Sequence, residues 1–282
     1  MKKLITIKVL AEVSHPKRVR EFNITKDGKI SYLPGTGSVV LGPQLGDFIK
    51  DWVGDHIEPG VSAKSEKDSS EEERALMTYA CIGNTVEIVK AKDNAIVGKK
   101  GVVFGKHGGI NHVLIWFEEK VLERLVPGDE LVIYCRGVGL DNANFLFFNI
   151  DESFLEWWKL KGFLEETALV PITKKLDDIF LVSGYGHFPF LTDYDLENYP
   201  DDLRFGDIVA FKGGWDRDWK FSKEYWSVGV VVHGDSSHIN HGVGVNVILS
   251  SGKELNFSVI SDLNIKNFIE KIYGSESYSE AK

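Results

Sequence analysis

The chain has 282 residues, of which 43% are hydrophobic and 27% are charged, and its formal net charge is −9. This composition is that of an ordinary globular protein, and the length predicts two lobes at about 150 residues per domain. The negative charge argues against a nucleic-acid partner, because neutralising phosphates requires concentrated lysine and arginine.

The predicted elements are mostly strands joined by tight turns. The start of the chain reads as a first strand, since polar and apolar residues alternate there. Gly-Asp pairs recur in turns that feed apolar runs, as in residues 126–134, which is typical of barrels and sandwiches. Helices are few: Ser70 with Glu73 forms a capping box, and Asp151 and Ser261 are candidate N-caps.

Two segments repeat the same short phrase. Residues 101–112 and residues 229–241 each begin with Gly-Val-Val and end with Ile-Asn-His, and together they hold five of the eight histidines. Both copies predict strand, loop, strand, His-rich turn, strand. We therefore predict a mainly β (α+β) fold of two related barrel-like or sandwich lobes, residues 1–150 and 151–282, with a few peripheral helices. Chance similarity between short Val- and Gly-rich strands is the alternative.

The imidazoles of these segments, with one upstream, are candidate ligands for a divalent metal ion. The candidate metal ligands are His56, His112, His233 and His241. Transition metals are bound by several neutral imidazoles or carboxylates around one ion, and Asp55 and Glu58 lie beside His56. The helical His-Glu-x-x-His spacing is missing, so the alternative is that each imidazole is a packed or capping group.

Four residues are candidates for acid or base catalysis. They are Asp55, Glu58, His107 and His187. His187 lies between glycines and aromatic residues, and Asp193 and Asp195 follow shortly after it. Such a loop can line a pocket in which a carboxylate tunes the pKa of the imidazole, or it can plug one end of a barrel.

Several common chemistries lack their sequence signatures. The Gly-rich turns complete no dinucleotide fingerprint, and Gly105 with Lys106 fails as a phosphate loop, because Lys100 stands where the first glycine is needed. No Gly-x-Ser-x-Gly elbow occurs, so a serine-hydrolase triad has no support.

The remaining features concern partners and compartment. Residues 215–226 interleave aromatic residues with balanced charges, which favours an oligomer contact or a pocket rim, and we expect a homo-oligomer that binds a small-molecule ligand. No stretch is long enough for a membrane span, so we expect no membrane partner. The two cysteines, Cys81 and Cys135, favour a reducing cytoplasm over a disulfide framework.

Several phrases taken together resemble a bacterial family, the domain of unknown function family 4438 (DUF4438). They lie, in order, at residues 33–37, 54–61, 80–84, 105–112, 184–195 and 229–235. The resemblance implies a full-length member with both the N-terminal and the C-terminal family parts. It transfers no catalytic residues.

Two functions compete at this point. The first is an enzyme of small-molecule metabolism, a metal-assisted hydrolase or lyase with a His- and Asp-lined pocket. The second is a non-catalytic ligand-binding or oligomeric structural protein, whose histidines would be scattered and bonded to carbonyl groups. Convergence of His107 and His241 in one cleft would favour the first.

Overall fold

The computed structural model describes residues 3–17, 22–66, 70–140 and 145–279. The first half of the chain holds nine strands: β1 (Ile7–Val13), β2 (Asn23–Ile24), β3 (Ile30–Ser31), β4 (Val39–Val40), β5 (Gly60–Lys64), β6 (Thr85–Lys90), β7 (Lys100–His107), β8 (His112–Trp116) and β9 (Glu130–Cys135). The second half holds another nine: β10 (Leu146–Phe147), β11 (Leu169–Ile172), β12 (Lys174–Leu176), β13 (Phe180–Ser183), β14 (Tyr194–Glu197), β15 (Ile208–Trp215), β16 (Phe221–His233), β17 (Val243–Ser251) and β18 (Asn256–Val259). The α-helices are α1 (Glu71–Tyr79), α2 (Glu119–Leu122), α3 (Glu152–Leu160) and α4 (Ile265–Ser279), and short 3-10 turns cover Ile49–Asp51 and Asn94–Ile96.

The first lobe is a closed antiparallel barrel. Its strands follow the order β1-β9-β6-β7-β8-β5, and β5 pairs again with β1 to close the ring. Small and β-branched side chains such as Ala63, Val86 and Val113 fill the interior. Closure leaves no free edge among these six strands, which removes a route to unwanted pairing.

The second lobe is an open half-barrel in the order β12-β15-β16-β17-β14-β13, and β10 also pairs with β17. The long central strands β16 and β17 are apolar along most of their length, and β17 is buried throughout. A strand that is buried on both faces reads as a nearly continuous apolar run rather than an alternating one. Two smaller pairs, β11–β18 and the hairpin β2–β3, complete the strands.

The two lobes pack through β7 and β8. Val103 points into the barrel core, whereas Val102 and Phe104 belong to the core of the second lobe. Because strand side chains alternate between faces, one strand can serve two cores. β7 therefore contacts both β16 and β17.

The helices begin close to where the sequence predicts them. Ser70 Oγ accepts a hydrogen bond from Glu73 N–H at α1, and Asp151 Oδ1 accepts one from Phe154 N–H at α3. Helix α4 begins at Ile265 with Asn264 as its N-cap, in place of the candidate N-cap Ser261, and it extends to Ser279. None of the helices in the described ranges combines the length and the apolar character needed to cross a bilayer.

The mainly β, two-lobed fold predicted from sequence is confirmed, and only four short α-helices occur in the described part of the chain. The barrel strands end at Cys135 and the second sheet begins at Leu146. Cys81 and Cys135 are both buried free thiols.

Candidate metal centre

Four histidine rings meet where the two lobes join. His56 precedes β5 and His107 ends β7, both in the first lobe; His233 ends β16 and His241 lies just before β17, both in the second. The ring centre of His56 is 5.4 Å from that of His107, 5.0 Å from that of His233 and 5.2 Å from that of His241. His107 and His233 stack with their ring centres 4.1 Å apart. Three of the predicted metal ligands and one predicted catalytic histidine therefore share one cluster.

Two glycines make room for the histidines at the strand ends. A Cβ on Gly105 would lie 2.3 Å from Val232 Cγ1, so a side chain there would push β7 away from β16. A Cβ on Gly244 would lie 1.9 Å from His233 Nε2, so a side chain there would collide with the imidazole. The close approach of these strands is what allows His107 and His233 to stack.

The backbone of His56 is held across the lobe boundary. His56 N–H donates to the carbonyl oxygen of Asp235 at 2.9 Å, and Gly234 N–H donates to that of Ile57, also at 2.9 Å. His56 itself has a φ of 52°, in the left-handed region that few non-glycine residues occupy. Two hydrogen bonds from the second lobe thus fix a residue of the first lobe in an unusual conformation.

Two aspartates join the four rings. Asp193 and Asp195 are two residues apart at the start of β14, so both side chains lie on one face of the strand. Asp193 Oδ2 is 2.8 Å from His233 Nε2, and Asp193 Oδ1 accepts a hydrogen bond from Gly108 N–H at 2.7 Å. Asp195 Oδ1 is 3.6 Å from His233 Nε2, and its Oδ2 is 3.5 Å from His241 Nδ1.

The six side chains form two sets of three, each with its ligand atoms within 4.8 Å of one another. We call the first set the buried triad; its members, all buried, are His107, Asp193 and His233. The second set, the cavity triad, consists of His56, Asp195 and His241; all three line the cavity described below, as do His107 and Asp193 of the buried triad. Imidazole nitrogens and carboxylate oxygens at these separations can hold a transition-metal ion.

In three of the four imidazoles, Nδ1 faces a carboxylate or carbonyl oxygen on the side away from the cluster. His107 Nδ1 is hydrogen-bonded to Glu58 Oε1, and His233 Nδ1 donates to the carbonyl oxygen of Gly234 at 2.8 Å. His56 Nδ1 lies 3.4 Å from Asp55 Oδ1. An imidazole whose Nδ1–H is engaged in this way can offer the lone pair of Nε2, which is the usual arrangement of metal-binding histidines; at His233 a metal ion would replace the proton that Nε2 shares with Asp193 Oδ2. His56 Nε2 is buried and has no hydrogen-bond partner.

Burial and charge act on the imidazoles in opposite directions. Burial, followed by the charge of His233, lowers the pKa of His56 to about 2. Burial also lowers the pKa of His233, but the hydrogen bond and charge of Asp193 outweigh it and raise that pKa to about 9. Asp195 raises the pKa of His241. At neutral pH His56 is therefore a neutral ligand, whereas His233 and Asp193 form a buried ion pair.

The cluster forms the floor of a cavity of about 680 Å³ between the lobes. The hairpin β2–β3 contributes Asn23 and Ser31 to the wall, and Lys26 of that hairpin forms an ion pair with Glu197 of β14, 3.0 Å apart. Further parts of the wall come from the turn after β7, from the loop that carries His187, from residues 33–36 and from the loop after β16. This volume is that of a site for a small molecule.

The other predicted site residues lie around the cluster. His187 is exposed on the cavity wall. Asp55 also lines the cavity, but its carboxylate accepts hydrogen bonds from Asn23 Nδ2, from Ser236 Oγ at 2.6 Å and from Ser237 N–H at 3.2 Å. These bonds orient Asp55 towards His56 as a partner of the imidazole.

Glu58 and His112 lie behind the cluster in the barrel. Both side chains are fully buried, and Glu58 contacts His107 on one side and His112 on the other, with His112 Nδ1 3.0 Å from Glu58 Oε2. Ser62 Oγ donates a further hydrogen bond to the carboxylate. Burial raises the pKa of Glu58, but the two imidazoles outweigh burial and hold it well below its usual range. The structure thus places Glu58 as a support for His107, and His112 outside both triads.

Asp193 and Asp195 are the members of the triads that were not among the predicted site residues. Their Asp-x-Asp spacing beside a strand was a usable signal, because alternate residues of a strand share a face. The sequence associates them with His187, whereas the structure turns them towards His233 and His241.

The comparisons with known proteins agree with this architecture. The model of the N-terminal part of the domain of unknown function DUF4438 matches residues 22–156, and that of its C-terminal part matches residues 163–269. The crystal structure of TM1086 is similar at 34% sequence identity and a TM-score of 0.83, covering 94% of this chain and 96% of that one. No curated protein matches the chain. Since the two models together span most of its length, the chain belongs to the DUF4438 family and carries both family domains.

Proposed function

We propose that this protein is a divalent-metal-dependent enzyme of the hydrolase or lyase class that acts on a small molecule. The observation that carries the proposal is the convergence of four imidazoles and two aspartates on the floor of one cavity. A mixed set of imidazole and carboxylate donors without thiolates suits zinc, iron or manganese.

The position of the cluster supports catalysis rather than a purely structural ion. Structural zinc sites are closed by four protein ligands, whereas catalytic sites keep a position for water or substrate. The cavity triad faces the cavity, so an ion bound there would be open to a small molecule. Such an ion would supply Lewis-acid chemistry, lowering the pKa of a bound water and polarising a carbonyl or phosphoryl oxygen.

The surrounding side chains would then have distinct roles. Asp55 and Glu58 would position His56 and His107 through their Nδ1 atoms. His187 lies on the cavity wall without a position in either triad, so it would be the group that exchanges a proton with the substrate.

Metal analysis of the purified full-length chain tests this proposal. After loading with Zn²⁺ or Mn²⁺ and removal of excess ion, we expect at least one ion per chain, and His107→Ala and His233→Ala should bind less. His15→Ala is the matched control, because His15 is an exposed histidine outside the cavity lining. Less than one ion per loaded chain would contradict the proposal.

Turnover is the second part of the test. The loaded protein would be assayed against esters, amides, phosphate esters and hydroxy acids, and the activity should disappear with EDTA and return with the ion. The competing function, a non-catalytic ligand-binding protein, predicts thermal stabilisation by compounds from the same panel without turnover of any of them. His187→Ala should then leave that stabilisation in place.

A further inference from the structure

We propose that the cluster binds two divalent ions, one in the buried triad and one in the cavity triad, with the Asp195 carboxylate bridging them. This inference rests on the proposed metal dependence, and it specifies the number of ions and the residues that separate them. It makes the cavity a two-ion site for divalent transition metals.

The number of donors is the first argument. Each triad alone supplies three ligand atoms within 4.8 Å of one another, and three protein ligands plus water make a complete catalytic ion site. One ion would leave part of the set unused. Two ions use all six side chains and still leave positions for water and substrate.

The second argument is the orientation of Asp195. Its Oδ1 faces His233 of the buried triad at 3.6 Å, and its Oδ2 faces His241 of the cavity triad at 3.5 Å. Asp193 differs, because its Oδ1 is occupied by Gly108 N–H and only Oδ2 faces the triad. Asp195 thus has the disposition of a bridging carboxylate, and Asp193 that of a ligand to one ion. Two-ion sites hold their metals about 3.5–4 Å apart, which a single carboxylate spans.

The third argument is charge. Four carboxylates surround the rings, and their charge equals that of two divalent ions; they are Asp55, Glu58, Asp193 and Asp195. Buried carboxylates without compensating charge are costly. Metal-bound imidazoles are neutral, so bound ions would replace the proton that His233 holds against Asp193 in the metal-free protein, and a single divalent ion would then compensate half of the charge of the four carboxylates.

The fourth argument is the position of His56. Its Nε2 is buried and lacks a hydrogen-bond partner, and its ring centre lies 5.0 to 5.4 Å from those of the three other imidazoles. Two imidazoles on one tetrahedral ion, with metal–nitrogen distances near 2 Å, have ring centres roughly 5 Å apart. His56 therefore lies at ligand distance from the rings of both triads, whereas His107 and His233, with ring centres 4.1 Å apart, would have to unstack slightly to bind one ion.

The proposed ion sites in the two triads differ in solvent exposure, so we expect them to differ in metal affinity. The side chain of His233 is 0% exposed and that of His241 is 41% exposed. An ion in the buried triad would exchange slowly, whereas one in the cavity triad would be removed first by a chelator. Mn²⁺ titration of the full-length chain should show two classes of site.

Manganese loading with EPR detection is the decisive experiment. We expect two Mn²⁺ per chain and a multiline signal from exchange coupling between the ions. His241→Ala should retain one ion and lose the coupling, and Asp195→Asn should lose the coupling with at least a tenfold weaker second site. His15→Ala should match the unaltered chain, and circular dichroism should establish that each variant is folded.

The outcomes separate this inference from the proposed function. One ion per chain overturns the two-ion centre and leaves metal dependence intact. Two ions without magnetic coupling overturn the bridging role of Asp195. Absence of any bound ion removes both proposals.

Discussion

The hairpins β7–β8 and β16–β17 both have a histidine at the end of their first strand, but their connecting loops differ in length. In β7–β8 the strand-end His107 pairs directly with His112, and the turn between them is residues 108–111. In β16–β17 the strand-end His233 pairs with Gly244, and residues 234–242 form a longer loop. The strand-end histidines of the two hairpins stack on each other.

The second histidine of each phrase shows what the loop length changes. The preceding asparagines, Asn111 and Asn240, have φ values of 57° and 62°, so the local turn is alike. Yet His112 starts a strand and is buried against Glu58, whereas His241 stays half-exposed beside Asp195. The sequence Ile-Asn-His therefore has two roles. In the first lobe its histidine helps Glu58 to support His107, whereas in the second lobe the longer loop places its histidine, His241, at the cavity as a candidate ligand.

The largest loss of unfolding free energy should come from removing a histidine at the end of a strand. His233→Ala would leave Asp193 as a buried carboxylate without its partner, which should cost about 3 kcal/mol of unfolding free energy. His241→Ala, at a half-exposed position, should cost less than about 1 kcal/mol. Urea unfolding in EDTA measures the loss of unfolding free energy for each variant. Equal losses would contradict the different roles assigned to the two histidines of this hairpin.

Glu58→Gln should weaken metal binding without changing the number of ions bound at saturation. The amide cannot accept hydrogen bonds from both His107 and His112, and loss of an outer carboxylate partner typically lowers metal affinity about 10–100-fold. Competition with a fluorescent chelator gives the affinity, with Asp55→Asn as the matched variant behind His56. Fewer ions at saturation would mean that Glu58 is itself a ligand.

Stability in EDTA should peak near pH 6.5. The folded pKa of His233 is about 9, above its ordinary value of 6.5, so its contribution is complete below pH 6.5 and is lost as pH rises towards 9. The folded pKa of His56 is about 2, so its contribution is complete above pH 6.5 and is lost as pH falls.

The alkaline loss should reach roughly 2 kcal/mol by about pH 8, where the opposing effect of Lys106, with a lowered pKa of about 8, begins. Unfolding free energies from pH 5 to 8 measure the profile. His233→Asn should flatten its alkaline side; an unchanged slope would assign the titration to another group.

The smallest change in stability should come from the two turns that contain Asn111 and Asn240. Asn111→Ala and Asn240→Ala should each lower stability by about 1 kcal/mol, because alanine tolerates the left-handed region less well than asparagine. The corresponding glycine variants should be close to neutral. Thermal unfolding of the four variants checks this, and a large effect at only one turn would show that the turns are not equivalent.

The strand content followed from the sequence, because alternating apolar runs and strand-end turns are local features. The sequence offered the histidines as candidates for one pocket but left open whether the two phrases converge, since that contact joins segments far apart in the chain. The direction in which the His112 side chain points could not be predicted, since it depends on how β7 and β8 pair. A bulge between Val103 and Gly105 shifts the register of β7 against β8, and one residue of slippage reverses the face on which each side chain lies.

The aspartates were missed for a related reason. Asp193 and Asp195 reach the cluster only because β14 pairs with β17, with Asp195 opposite Gly244. That contact joins segments far apart in sequence, and nothing local to residues 184–195 identifies His233 as their neighbour rather than His187. Helix α4, in contrast, was predicted from local signals, and its start differs because Asn264 rather than Ser261 accepts the capping hydrogen bond, which Lys266 N–H donates.

Because β7 is a wall shared by two hydrophobic cores, His107 cannot swing without disturbing both. A hinge that opened the molecule between the lobes would break this strand's packing and pull the ligands of both triads apart. We therefore expect a stationary floor under the cavity. Any gate for the substrate would be the β2–β3 hairpin, whose Ile24 and Ile30 are exposed and which is held to β14 by the Lys26–Glu197 ion pair and to Asp55 by the hydrogen bond from Asn23.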